Sequence, residues 1–357
     1  MRLLFIRLVL KRRTLLLCVL LLVSGCATLG YYGQSIGGQW EVWDKSKPID
    51  EILASFDTAD PLREKLQMVL EIRDFASSEL ALPDNDSYRS YADLQRPFVV
   101  WNVFAAKPFE LNLKRWCFPF AGCVGYRGYF AQADAQAFAD QLAAEGLDVY
   151  IGGVAAYSTL GWFDDPLLNT VLQRSPARIA GLIFHELAHQ QLYVEDDTAF
   201  NEGFATAVQL EGVRRWLEKH GNQQQRQEYA LSRQRQDEFV VLVTGVRDQL
   251  QALYAEALDE TEMQIRKTAI QTGLRQQYQQ LKKQWDGYAG YDAWFARDLN
   301  NAQLGAVTTY RDHVPVFQRL LAEQQGDLAA FYRACAVLGE MPVEERKQVL
   351  VSFNIPL

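Results

Sequence analysis

Phe184-His185-Glu186-Leu187-Ala188-His189, followed by Phe200-Asn201-Glu202-Gly203-Phe204-Ala205, is the stretch on which the fold turns. Four positions make close to one α-helical turn, so His185 and His189 leave the same helix face and can take one metal at about 2.0–2.1 Å. Glu186 lies beside them and is expected to act as general base, accepting a proton from a water that the metal has made acidic. Ser175-Pro176 opens the helix, with Ser capping free amides and Pro at the first helical position. It is predicted to run to about Tyr193, to turn through Val194–Thr198, and to resume from about Ala199 to His220. In antiparallel helices joined by a tight turn, residues whose numbers average to the turn centre stand at equal height. His189 and Glu202 average to 195.5, inside the turn, which makes Glu202 the expected third ligand. The same rule sets Thr206 opposite His185 as a supporting hydrogen-bond partner. Glu195, Asp196 and Asp197 are the rival ligands.

Leu182, Ile183 and Phe184 precede His185, and polar groups in so apolar a segment are costly without a joint partner. A metal provides one. Zn2+ is the expected ion, and three protein ligands would leave its fourth position open for chemistry.

The chain has 357 residues, enough for a large core, with a formal charge of −8. Arg2, Arg7, Lys11, Arg12 and Arg13 supply five positive charges at the extreme N-terminus. Without them 31 basic residues (36 − 5) face 44 acidic ones, a net −13. So acidic a body excludes nucleic acid as a partner, since phosphate binding calls for a basic face. The basic segment is followed by the apolar run Leu15 to Val23, too short to span a bilayer, and by Val23-Ser24-Gly25-Cys26. Residues 1–25 therefore read as a signal peptide. The final Cys makes the run resemble a bacterial lipobox, which implies that Cys26 is the lipidated first residue of the mature protein. Ala27 after it implies a periplasmic body tethered to the outer membrane. In an oxidising compartment Cys117 and Cys123, either side of a short loop with Pro119 and Gly122, are expected to form a disulfide, and Cys335 to be buried and free.

Further along, Ile49–Leu53 and Leu62–Ala76 carry helical periodicity, and Phe98–Ala105, about Val124–Phe130 and Val149–Ser158 read as strands. Ala133–Glu145 is a helix closed by Gly146. From 221 to 285 the chain is helical and rich in Gln, Arg and Glu, with no clean heptad, and is expected to be a solvated helical arm. The fold class is α+β, helix-dominated, with a small sheet ahead of the metal helices. Residues 26–357 are read as one domain: an N-terminal helical part (26–95), a small sheet (96–165), the metal helices (175–220), the arm (221–285) and C-terminal helices (286–357).

The run Phe200–Ala205 resembles the segment that supplies the third zinc ligand in gluzincin aminopeptidases, although the interval from His189 is shorter here. More of the chain carries a second resemblance. Leu82-Pro83-Asp84-Asn85 with Ser87-Tyr88-Arg89, Trp116-Cys117-Phe118-Pro119 through Gly122-Cys123, and Tyr126-Arg127-Gly128-Tyr129-Phe130 are distinctive. So are Ala156-Tyr157-Ser158-Thr159-Leu160-Gly161-Trp162-Phe163, Phe184–Gln190 and Phe200–Thr206. Together they resemble the bacterial lipoprotein family of predicted zinc aminopeptidases. The resemblance implies a gluzincin-like zinc metallopeptidase, an aminopeptidase, with a peptide substrate laid along an edge strand for which Val154–Gly161 is the candidate. The G-x-M-x-N segment whose glutamate binds a free α-amine is missing, and Asp164 or Asp165 is a possible replacement. Tyr157, Tyr126, Tyr310 and His313 are candidate oxyanion donors, Tyr310 and Tyr157 foremost. An endopeptidase of envelope quality control, or a binding lipoprotein that keeps the site without turnover, is the alternative.

Overall fold

A computed structural model describes residues 30–118, 122–159, 161–307 and 313–353. Cys26 and Tyr310, with Leu160 of the candidate edge strand, lie outside the described residues. The architecture is α+β and helix-dominated, with three small sheets. Helix α1 (residues 30–44) leads into β1 (Ser46–Pro48), α2 (Ile49–Ala54) and α3 (Asp60–Ser78). Strand β1 pairs antiparallel with β2 (Ser90–Ala92), which pairs parallel with β8 (Leu167–Leu168). A second sheet has the order β6-β3-β7, all antiparallel: β6 (Arg127–Tyr129), β3 (Val100–Ala106) and β7 (Asp148–Val154). Helix α4 (Gln132–Ala144) covers one face of it, burying Ala135, Ala139 and Leu142 against Trp101, Val103 and Tyr129. A hairpin of β4 (Trp116–Phe118) and β5 (Gly122–Val124) places Cys117 directly opposite Cys123, and the two form a disulfide. The stretch expected as one strand from 124 to 130 is thus two, broken at Gly125–Tyr126 where the chain leaves the hairpin for the sheet.

The two helices expected to carry the metal ligands are α5 (Pro176–Gln191) and α6 (Thr198–Lys219), in extensive mutual contact. At the start of α5 the Ser175 side chain makes no capping hydrogen bond. Its main-chain carbonyl accepts from the amides of Arg178 and Ile179, while Pro176 removes one amide that would need a partner. Asp197 caps α6 by accepting from the Phe200 amide at 3.0 Å. The helices approach so closely that a Cβ on Gly212 would stand 2.7 Å from the Phe184 ring, so glycine is required there. Phe184, Phe200 and Phe204 are fully buried, each contributing about 2–3 kcal/mol relative to an exposed side chain. They share one core with α3, α11 (Val314–Glu323) and α12 (Leu328–Glu340), in which Cys335 is buried and free. Helix α13 (Val343–Phe353) closes the described chain.

The region 221–285 is a helical hairpin of α7 (Gln223–Tyr254) and α8 (Glu260–Gln284), but it is not merely a solvated arm. Phe239, Val243, Val246, Leu250, Leu274 and Tyr278 form a core with Trp285, Phe295, Leu299 and Leu304, from the segment holding α9 (Asp292–Phe295) and α10 (Asn301–Val307). Apolar positions too irregular for a two-helix seam still line one stripe when a third segment packs into it. A buried polar network fixes this unit to the sheet. Lys267 Nζ donates to Asp148 Oδ2 at 2.8 Å and to the Pro108 carbonyl at 2.7 Å. Asn301 donates from Nδ2 to the carbonyls of Lys107, Pro108 and Glu110, and accepts from Tyr254. Among the described residues no helix is long and apolar enough to cross a membrane.

Candidate metal centre

One turn of α5 brings the imidazole rings of His185 and His189 to 4.8 Å between centroids, nearly perpendicular, with their Nε2 atoms 3.2 Å apart. From α6 the carboxylate of Glu202 reaches both: Oε2 stands 3.3 Å from His185 Nε2 and Oε1 3.7 Å from His189 Nε2. Tetrahedral ligands at about 2.05 Å from an ion are separated by roughly 3.3 Å. The Nε2–Nε2 distance and the His185–Oε2 distance match that separation, and the other carboxylate oxygen stands a little farther from His189. Two ring nitrogens aimed at each other at this distance also need a proton or a cation between them. Among the described residues His185, His189 and Glu202 form the group able to hold a metal ion. Of the rival ligands, Asp197 is engaged in capping α6 and pairs with Arg346 at 2.8 Å, and Glu195 and Asp196 are exposed on the turn.

The electrostatics of the metal-free chain describe a coupled cluster. Burial disfavours charge on His185, but contact with Glu202 and the charge of Glu186 outweigh it and raise its pKa above the ordinary imidazole value. Burial and the neighbouring His185 charge hold His189 down at about 4. Burial alone would raise the Glu202 carboxyl, yet the two histidines hold it below the usual carboxylate range. Glu186, on the next face of α5, is pushed up to about 7 by burial, with the Glu202 and Asp165 charges adding and His185 opposing. A carboxyl poised near neutrality is suited to accepting and returning a proton.

The model of the Aminopep family, described as “Putative aminopeptidase”, matches residues 30–350. The chain belongs to this family. No curated protein and no solved structure gives a significant match. A peptidase family implies a peptide substrate, and in the Aminopep chain described here the His-His-Glu group is compatible with a metallopeptidase.

Other residues singled out in the sequence fall in different places. Tyr157 is not at the metal group: its hydroxyl donates to the Gln39 side chain and its ring meets Phe130 edge-on at 5.9 Å. Of the candidate edge strand 154–161 only Val154 belongs to a strand, where β7 ends, and residues 155–159 are irregular. Buried Asp165 accepts from the Thr159 amide at 2.8 Å and from Ser158 Oγ at 3.3 Å, while Asp164 is exposed. Tyr126 is close enough to Glu202 to feel its charge. His313 packs against α6, its Cβ 2.9 Å from where a Cβ on Gly203 would stand, and its Nδ1 is buried without a partner. Gln209, three residues beyond the expected Thr206, lies beside His185 and favours its charged form. Asn300 donates to the Val149 carbonyl of β7 and Asn301 to the Lys107 carbonyl, tying α10 to the sheet, and His220 ends α6 stacked on Trp216 at 4.0 Å.

Residues 82–89 have a role that their sequence alone does not signal. Fully buried Arg73 donates to the carbonyls of Pro83, Asn85 and Ser87, winding this loop around its guanidinium. Asn85 and Ser87 hold Gln190, the neighbour of His189, at 2.7 and 3.1 Å. Tyr88, at φ 64° and with its amide donating to the Asp165 carbonyl, carries a buried, unpartnered hydroxyl in the field of Glu186. Turn residues Pro83 to Asp86 signal a loop; nothing local signals that it buttresses the metal helix.

Proposed function

We propose that this chain is a zinc-dependent, gluzincin-like peptidase of the bacterial envelope, with His185, His189 and Glu202 as ligands and Glu186 as general base. The observation that carries the reading is the convergence of two Nε2 atoms and one carboxylate within 3.2–3.7 Å of one another, with Glu186 beside them. Two imidazoles and one carboxylate, without thiolate, form a donor set suited to catalytic zinc, and both histidines keep Nε2 directed at the common centre. Zinc, when bound, supplies Lewis acidity that acidifies a water and polarises the scissile carbonyl. Glu186 takes the proton from the attacking water and returns it to the departing amine. Tyr126, which feels the charge of Glu202, and His313, packed against Gly203, are the candidate groups to support a developing oxyanion; Tyr310 belongs to the same proposal through its family resemblance. Envelope location rests on residues 1–26, with Cys26 as the lipid attachment point.

The test is metal analysis and peptide hydrolysis on the wild type and Glu186→Gln. The variant is expected to retain one zinc and lose about 10²–10⁴-fold in kcat. Full activity in Glu186→Gln, or a wild type that purifies and works without metal, refutes the assignment. Asp165, one candidate for holding a free α-amine, is engaged inside its own loop, which leaves exposed Asp164 as the candidate for aminopeptidase action, with endopeptidase action as the alternative. Peptides with free and acetylated N-termini distinguish the two, since an aminopeptidase loses the acetylated ones.

A further inference from the structure

The first eleven described residues, Gly30 to Trp40, contain no charged side chain, yet they begin an exposed helix. The outward stripe of α1 is Gly30, Gly33, Ile36, Gly37 and Trp40, with Ile36 70% and Trp40 66% exposed. One turn on, Trp43 meets the ring of Phe163 at 4.7 Å. Phe163 (51% exposed) and Trp162 (80% exposed) belong to the turn that Asp165 holds in shape. Four large apolar side chains thus stand out from two rigidly supported elements. Helix α1 is fixed from behind: Gln34 exchanges hydrogen bonds with Gly128 O and Phe130 N on the outer edge of β6, and Gly38 lies directly against Phe130. An apolar outer face, uncharged from Gly30 to Trp40 and bounded by exposed Asp44 and Asp164, on a helix so well docked is the pattern of an interfacial membrane contact rather than of a solvated surface.

The chain outside this helix says what covers it. Gly30 lies only four positions beyond Cys26, a reach of at most about 14 Å, and the apolar run ends three residues before Cys26. Ile36 and Trp40 lie roughly 9 and 15 Å along α1 from residue 30. Any lipid attachment or insertion of residues 15–26 therefore holds this face within reach of the bilayer, where tryptophan favours the headgroup boundary. We propose that Ile36, Trp40, Trp162 and Phe163 form a membrane-docking face that seats the body of the protein on the lipid surface. This rests on residues 1–26 attaching the chain to a membrane, and is independent of zinc or hydrolysis. Gly161 packs on Gln190, one residue from His189, so docking also brings the metal centre's rim towards the membrane and favours peptides presented at its surface.

The experiment uses the full chain reconstituted on phosphatidylethanolamine–phosphatidylglycerol vesicles with brominated acyl chains. Flotation reports attachment, and quenching of tryptophan fluorescence reports docking. The protein is expected to float, and Trp40→Phe with Trp162→Phe to lower the quenched amplitude at least twofold without changing flotation. Ile36→Ser with Phe163→Ser is expected to float and yet lose most of the quenching, as the face lifts off. These positions are exposed, so folding is not at stake. Flotation with quenching unchanged in the tryptophan variant overturns the docking face while sparing the anchor; failure to float overturns both. A dimer in detergent that Trp40→Ser dissociates assigns the face to a second copy. A raised KM in vesicle-free Trp162→Phe assigns it to substrate. Either result overturns the proposal.

Discussion

Replacing His189 by alanine separates metal binding from packing when unfolding is followed as a function of free zinc. His189 is 7% exposed, so the variant loses packing and its Tm falls even without metal. The slope of Tm against log zinc is free of that loss. A ligand that binds only the folded chain stabilises it by about 1.4 kcal/mol for each tenfold rise in concentration above Kd. The unfolding entropy of about 2.1 cal/mol/K per residue gives roughly 0.75 kcal/mol/K for 357 residues. The wild type should therefore gain about 1.8 °C per decade of zinc, and about 3.6 °C in all at one hundred times Kd. His189→Ala, which removes one of three donors standing 3.2–3.7 Å apart, should show no slope in the same range. Thermal denaturation by circular dichroism of chelator-treated protein, in zinc-buffered solutions, measures both. A wild type without slope, or a variant with the same slope, refutes the reading of these three side chains as a metal site.

Zinc affinity should weaken as pH falls from 8 to 5.5. The raised pKa of His185 means its proton must be displaced on binding, whereas His189, held at about 4, has none to give in that range; calorimetric titration at the two pH values checks this. Lys267→Met should cost roughly 3 kcal/mol in urea unfolding, because Asp148 keeps only the Asn301 amide as partner; Asp148→Asn in the same chain should recover part of it. Tyr88→Phe removes a buried hydroxyl that has no partner, so stability should hold or rise by about 1 kcal/mol, and a loss of that size in the same assay contradicts the geometry.

What the sequence by itself determined are the properties set by spacing along one element. His185 and His189 share a helix face because four residues nearly complete a turn, and the Cys117–Cys123 hairpin and the long pair of helices after Gly221 follow from equally local signals. Glu202 was reachable by height alone, since two antiparallel helices rise equally from their turn. Height alone did not single out Gln209, which lies beside His185. Only the tertiary structure decided which residues distant in sequence share a space. Arg73 winds the 82–89 loop against Gln190, Asp165 holds Thr159 beside the Trp162 turn, and Tyr157 is engaged by Gln39. The arm likewise shows its apolar residues but not their partner. Phe295 and Leu304 complete its core from beyond the hairpin, because burying an irregular stripe depends on which surface arrives to cover it.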